Sequence, residues 1–352
     1  MIEVNKPTLL LNKEKSFNNI LKVQNNIKNS NVEMRPHFKT HQSLEIGKWF
    51  KEFGINKITV SSVSMAKYFS KDWDDITIAF PLNIHEINDI IKLQEKININ
   101  ILINSFEAFL ILLESKKKFN VYIKINVGYN RAGLDIDDPE INKIIDFASQ
   151  SDKINILGFL SHFGNTYLSR SYIEIESIFN NSIKKLKSLN RRYPDYLISI
   201  GDTPSSSVIN KYPNFINEIR PGNFIFYDLA QNKIGSCDLD DIALRMICPI
   251  VSINSIDNSC LIYGGSVHFS KDYIVDNKRN CFGYVYHGNT WGTKSKIGFI
   301  KSLSQEHGKI QIEKNIDLKI GDLVSVIPVH SCLTIDKMRE IFIESKKIKI
   351  MD

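Results

Sequence analysis

Residues 35–43, RPHFKTHQS, end a short β-like apolar run that begins at Val32 and lead into a helical pattern, Ile46, Trp49, Phe50 and Phe53. A run of this kind, closed by polar residues and followed by apolar spacing of i, i+3, i+4 and i+7, is one βα unit. The unit recurs along the first two thirds of the chain. Strand-like runs are predicted at 32–39, 57–62, 76–80, 99–104, 121–128, 154–164, 196–203 and 217–228. Helical spacing lies between them, as in Phe106, Phe109, Leu110 and Leu113, or Ile141, Ile144, Ile145 and Ala148, and an opening helix is read from Phe17 to Ile27. Eight strands with helical crossovers over about 200 residues predict an α/β fold of the (β/α)8 barrel type. An open doubly wound sheet would carry a Gly-rich first turn, and no GxGxxG follows the first run.

Past residue 232 the helical spacing stops. Runs such as ALRMICPIVSI, CLIYGG, KIGFIKSL, KIQIE, DLVSVIPVH and EIFIES replace it. We therefore expect a barrel over 12–232 and an all-β domain over 233–352 that also takes a strand from residues 1–11. The 352 residues carry a net charge of +6; the densest basic runs, Lys116-Lys117-Lys118 and the tail ESKKIKIMD, read as solvated faces with no aromatic-basic interleaving, so no nucleic-acid track is expected. No apolar run reaches membrane-spanning length, and the first residues lack a secretory pattern, so no membrane association is expected. Five cysteines without CxxC spacing point to a reducing, cytoplasmic compartment rather than a disulfide framework.

In barrels of this kind reactive groups gather at the C-terminal ends of the strands. The first run ends at Lys39, with Arg35, His37 and His41 around it; the fifth runs into GYNRAG with Arg131. The sixth ends in SHFGNTY, with His162 and Tyr167, the seventh in GDTPSSS from Gly201, and the eighth is RPGNFIFYD. Each feature has a plain alternative: an exposed strand-end lysine, a packed histidine, or a βα turn with a hydroxyl cap and a proline at the first helical position. Their coincidence at one rim is what points to an enzyme. A lysine so placed suits Schiff-base chemistry. GDTPSSS and RPGNFIFYD, with Gly222 and Tyr227, suit a phosphate cup. In IPVHSCLT, read as a strand, His330 and Cys332 are two apart and project to one face, which suits an open metal site.

In this order, these motifs resemble the D-threonine aldolase and D-serine dehydratase family, pyridoxal-phosphate enzymes with an alanine-racemase-type (β/α)8 barrel and a C-terminal all-β domain. RPHFKTHQS is similar to the cofactor-lysine segment, GYNRAG to the arginine motif, and LSQEHG (303–308) and PVHSCLT (328–334) to motifs of the second domain. Phe38 stands where the family usually has a small residue. The resemblance implies Lys39 as the Schiff-base lysine, and Gly201, Asp202, Thr203, Gly222, Asn223 and Tyr227 around the phosphate. It places Arg131 near the phenolic oxygen, His162 and Tyr167 along the ring, and a divalent metal, zinc ahead of manganese or magnesium, on His330 and Cys332. It further implies a homodimer acting on a β-hydroxy D-amino acid, by elimination to keto acid and ammonia or by retro-aldol cleavage to glycine and an aldehyde. The rivals are an alanine-racemase-type racemase and a non-catalytic pyridoxal-phosphate carrier.

Overall fold

The computed structural model describes residues 3–314 and 316–352. By internal contacts the chain divides into two units. One comprises Leu21–Lys39 and Ile46–Gly222; the other comprises the residues up to Ile20, Thr40–Glu45 and Asn223–Asp352.

The strands in chain order are β1 (Thr8–Leu11), β2 (Glu33–Met34), β3 (Ile58–Val60), β4 (Asp75–Pro81), β5 (Asn98–Ile103), β6 (Phe119–Ile125), β7 (Ile154–Ser161), β8 (Leu197–Ile200) and β9 (Glu218–Ile219). The first unit holds β2 to β9, all parallel, in the order β2-β9-β8-β7-β6-β5-β4-β3. The Phe38 amide donates to the Thr59 carbonyl and the Thr59 amide to that of Pro36, both at 2.9 Å, which joins the first strand segment to β3 and closes the ring. All eight expected strands are present. Parallel strands buried on both faces are near-continuous apolar runs, which is why they stand out in the sequence. The crossover helices start where a short polar side chain caps them: Ser62, Ser105 and Ser171 each accept from the amide three residues on, and Asp138 caps a helix with Pro139 in its first turn.

The eighth strand is shorter than expected. Only Glu218 and Ile219 are strand, and the rest of 217–228 breaks at Pro221-Gly222 into a 3-10 turn, Asn223–Ile225. Proline has no amide for a ladder, so strand pairing cannot continue through it.

Phe38 is fully buried, with its ring 5.1 Å from Phe50, 5.0 Å from Phe69 and 5.1 Å from Trp73. Gly47 makes room, since a Cβ there would lie 3.0 Å from the Phe38 ring. The bulk that departs from the family pattern thus fills an aromatic box. Phe38→Leu is expected to cost about 1 kcal/mol, read as a lower urea midpoint at unchanged slope.

In the second unit the strands Leu244–Asn254, Ser259–Tyr263, His307–Ile312, Lys296–Leu303, Gly283–His287 and Leu323–Pro328 pair in that order and close on themselves. β1 lies antiparallel to Leu244–Asn254 and parallel to Glu340–Ile343. Among the described residues no helix is long and apolar enough to cross a membrane.

Candidate active site

Lys39 follows the extended segment after β2 and is exposed; its amide donates to His37 Nδ1 at 3.4 Å. Arg35 does not shape its surroundings as the sequence suggested. The Arg35 guanidinium is buried against Glu218 (Nε to Oε2, 2.7 Å) and Asp75 (Nη1 to Oδ1, 2.6 Å). Burial alone would lower its pKa, but the two carboxylates outweigh burial and raise it. Glu218 passes the contact on through Ser199 (2.5 Å), which also accepts from Arg220.

His162, at the end of β7, donates through Nδ1 to the Gly201 carbonyl, 2.6 Å away, and lies between the rings of Tyr129 (5.7 Å) and Tyr167 (6.0 Å). Because a carbonyl only accepts, Nδ1 carries the proton and Nε2 is left with its lone pair. Burial first, then Lys124, Arg131 and Lys39, push the imidazole down to about 3, so it is neutral near pH 7. Those same influences show that the barrel gathers Lys39, Lys124, Arg131 and His162. Lys124 itself, buried in β6, is pulled down to about 7 by burial and by Arg220 and Arg131. Such a cationic wall suits an anionic ligand. Arg131 lies over the Tyr129 ring at 5.2 Å.

Gly201 has to be glycine, since a Cβ would lie 2.9 Å from Arg220 Cβ and 3.1 Å from its backbone. The Thr203 amide donates to the Tyr167 hydroxyl (3.4 Å), and the Gly222 amide to Thr203 Oγ1 (3.3 Å). The hydroxyls and glycines that converge here fit a phosphate. Asp202 does not present a carboxylate to it. Its Oδ2 accepts from the Ser205 amide (2.7 Å) and Thr166 Oγ1 (2.9 Å), capping the helix Thr203–Val208, and burial raises it to about 6.

Asn223, Tyr227, His330 and Cys332 belong to the other unit. Tyr227 is fully buried with a left-handed φ of 50°. His330 and Cys332 are not on a strand: the strand ends at Pro328, His330 caps the helix Ser331–Met338, and Cys332 lies in its first turn. The buried residues Ser331, Thr334 and Ile335, at i, i+3 and i+4, were the signal for helix that the preceding VSVIPV obscured. The pair still meets. Burial lowers His330, but hydrogen bonding and charge from Cys332, with Asp228 and Asp272, carry it up to about 10. His330 Nδ1 is 2.6 Å from Asp272 Oδ2. With Nδ1 held by a carboxylate, Nε2, once it gives up its proton to an incoming ion, and the sulfur would form a borderline-soft donor pair that fits zinc with open positions. Among the described residues no group of three or more His, Cys, Asp and Glu is placed to hold a metal.

Asn223, expected at the phosphate, uses its amide nitrogen within the second unit. Its Nδ2 donates to Asp228 (2.7 Å) and Ser331 Oγ (2.9 Å) and lies 3.6 Å from Cys332 Sγ. The Cys332 thiol in turn donates to Thr40 Oγ1 at 3.3 Å. Lys124, Arg220, Asp228 and Asp272 are missing from the sequence reading. A single lysine within the apolar VYIKI run was a legible signal for the first; the carboxylates had none beyond their type.

Two buried imidazoles set an acid limit. Burial pushes His41 down to about 3, as it does His162. Both rings take up protons on unfolding, so their contribution is fully present above pH ~6.5 and is lost as pH falls through the folded values near 3. Stability of the metal-free chain should fall by on the order of 1 kcal/mol per pH unit for each ring below pH ~6, measured as urea midpoints.

The fold and these groups define the class: a two-part protein with a parallel barrel bearing a lysine at its rim and a β unit bearing a His-Cys pair. The family profile of the alanine racemase N-terminal domain matches residues 11–229, and that of the putative serine dehydratase domain matches 243–343. D-serine dehydratase of Dictyostelium discoideum is 33% identical over 373 residues, covering 94% of this chain and 91% of that protein. The structure of D-threo-3-hydroxyaspartate dehydratase from Delftia sp. HT23 superposes with a TM-score of 0.88 at 20% identity, covering 99% and 98%. A cysteine-to-alanine mutant of that enzyme has been solved in the metal-free form. D-threonine aldolase from Filomicrobium marinum shares the fold, with a TM-score of 0.82 at 18% identity and coverage of 99% and 95%. The chain belongs to the D-serine dehydratase family of alanine-racemase-type proteins, and it is a pyridoxal-phosphate-dependent lyase.

Proposed function

We propose that the chain eliminates water from a β-hydroxy D-amino acid, D-serine first, to give a keto acid and ammonia. In this reading Lys39 holds the cofactor, and His330 with Cys332 holds a divalent ion, zinc foremost. The observation that carries it is the 3.3 Å contact of Cys332 Sγ with Thr40 Oγ1, because Thr40 is the residue bonded to Lys39. The donor set supports it too: a cysteine-to-alanine mutant of the Delftia dehydratase is described as metal-free.

The bound cofactor supplies an electron sink for the pair left at Cα when its proton departs. Lys39, freed when the substrate amine takes its place, accepts that Cα proton. Arg131 and Lys124 offer charge to the substrate carboxylate or the cofactor's phenolic oxygen. Neutral His162, its Nδ1–H committed to Gly201, packs against a ring without competing for the proton. Gly201, Thr203 and Gly222, with Tyr167, hold the phosphate. An ion held by His330 and Cys332 would supply a Lewis acid. As the Cβ–O bond breaks with its electron pair on oxygen, the leaving hydroxide would take the Cα proton from Lys39 and depart as water, and the enamine, once released, would be hydrolysed by a second water to the keto acid and ammonia.

The test is to incubate the metal-loaded holoenzyme with D- and L-serine, D-threonine and D-threo-3-hydroxyaspartate, and to assay keto acid, aldehyde and racemised product separately. Keto acid from the D-isomers alone, abolished by a chelator and restored by zinc, is the expected result. Aldehyde as the main product would move the enzyme to the aldolase branch, and racemised product to the racemase. A homodimer is part of the proposal; exposed Phe80 and Ile84 on the barrel support it, and light scattering checks it. Among the described residues no two cysteines are joined in a disulfide, which supports a cytoplasmic setting.

A further inference from the structure

Beneath the His-Cys pair lies a carboxylate that the reaction does not consume. Asp228 is almost fully buried, and its two oxygens have separate duties. Oδ1 accepts from the Gln231 amide at 2.9 Å and caps the helix Leu229–Ile234. Oδ2 accepts three times: from Asn223 Nδ2 (2.7 Å), the Ser331 amide (2.9 Å) and Ser331 Oγ (3.2 Å). Ser331 stands between His330 and Cys332, and Asn223 reaches from the carboxylate to both Ser331 Oγ and Cys332 Sγ. The Asn223 amide, the Ser331 amide and the Ser331 hydroxyl thus converge on one buried oxygen. Three hydrogen bonds onto a single buried acceptor can set the backbone between the two donors.

We propose that Asp228, acting with Asn223, is a positioning residue for the metal site: its Oδ2 locks residue 331 so that the His330 imidazole and the Cys332 thiolate converge on one divalent ion. Asp272 does the complementary work on the imidazole, holding Nδ1 so that Nε2 is the donor. The inference rests on the proposed metal site and adds to it. Neither Asp228 nor Asn223 is itself a ligand here; what they control is how well two ligands separated by one residue are aimed.

The substitution Asp228→Asn separates the duties. Asparagine keeps an oxygen for the helix cap but turns an NH2 group toward three donors, so the cap survives and the lock does not. Metal-free protein is loaded with Co2+, and two quantities are read: the thiolate-to-cobalt charge-transfer band in the near ultraviolet, and affinity by competition with a chromophoric chelator. Wild type is expected to show the band. Asp228→Asn should lose about 10–100-fold in affinity and most of the band while its far-ultraviolet circular dichroism stays that of wild type. Ser331→Ala, which removes one hydroxyl and leaves the amide, should stay within about threefold. Wild-type affinity and band in Asp228→Asn would overturn the positioning role and leave the metal site standing. Absence of the band in wild type would overturn the metal site itself, and the inference with it. If Asp228→Asn does not fold, Asn223→Ala serves, with an expected loss of about tenfold; unchanged affinity there overturns the inference.

Discussion

Under the proposed reaction, Lys39→Ala is expected to lower turnover of D-serine by at least about 10³-fold, since it would remove at once the group proposed to bond the cofactor and to carry the Cα proton. Loss of either function alone costs on the order of 10²–10⁴ in such reactions. The measurement has two parts. Borohydride treatment of wild type, followed by peptide mapping, should place the reduced cofactor on the peptide containing RPHFKTHQS, and the variant should yield no labelled peptide. Lys124 is the informative competitor. It is buried, and burial with Arg220 and Arg131 pulls it down to about 7, so a good fraction of its amine is neutral at physiological pH. Label on Lys124, or a Lys39→Ala variant that keeps a tenth of wild-type turnover, would transfer the central role to that residue. Lys39 is favoured because it is exposed at the rim, is followed by Thr40 in contact with Cys332, and acts on His162 electrostatically.

The sequence was most readable where one physical demand governs a whole segment. The eight barrel strands are apolar on both faces and several of the helices after them open on a Ser or Asp cap, so KITVSS and INILIN followed by Ser105 read plainly as βα units. It was least readable where two patterns overlap. VSVIPVHSC continues a β-like run past the point where Pro328 ends the ladder, so His330 and Cys332 read as strand residues although they start a helix. The i, i+2 spacing expected to bring them to one face of a strand is replaced by a cap and a first turn, and the two side chains meet for a different reason. Long-range partners were not readable at all. Arg35 looks like a neighbour of Lys39 four residues on, yet its guanidinium is claimed by Glu218 and Asp75, 183 and 40 residues away. Asn223 sits in a phosphate-like motif, yet its amide donates to Asp228 and Ser331, because only the fold brings Ser331 to it. Motif order thus matched the family, while the partners of single side chains within a motif follow only from the fold.

Glu218→Ala should be the most destabilising of the single changes considered, by about 3–5 kcal/mol. Glu218 lies almost wholly buried inside the barrel, with Arg35 Nε at 2.7 Å, Lys57 Nζ at 3.5 Å and Ser199 Oγ at 2.5 Å. Removing the carboxylate strands a buried guanidinium that Asp75 alone must balance, and it frees Ser199, which also accepts from Arg220. The cost is that of an uncompensated charge, which exceeds the net worth of the intact pair. Burial works against the ionised carboxylate, yet Arg35, Lys57 and Ser199 together hold its pKa below the ordinary value. The folded chain therefore binds the proton less readily than the unfolded one. The stabilisation is fully present above the unfolded pKa of ~4.3 and is lost as pH falls through the folded value. Chemical denaturation at pH 7 should show the full deficit of Glu218→Ala, and the gap from wild type should narrow once pH drops well below 4. Equal midpoints at pH 7 would mean that Asp75 suffices for Arg35. A gap that stays constant down to pH 3 would mean that packing, rather than charge, accounts for the loss.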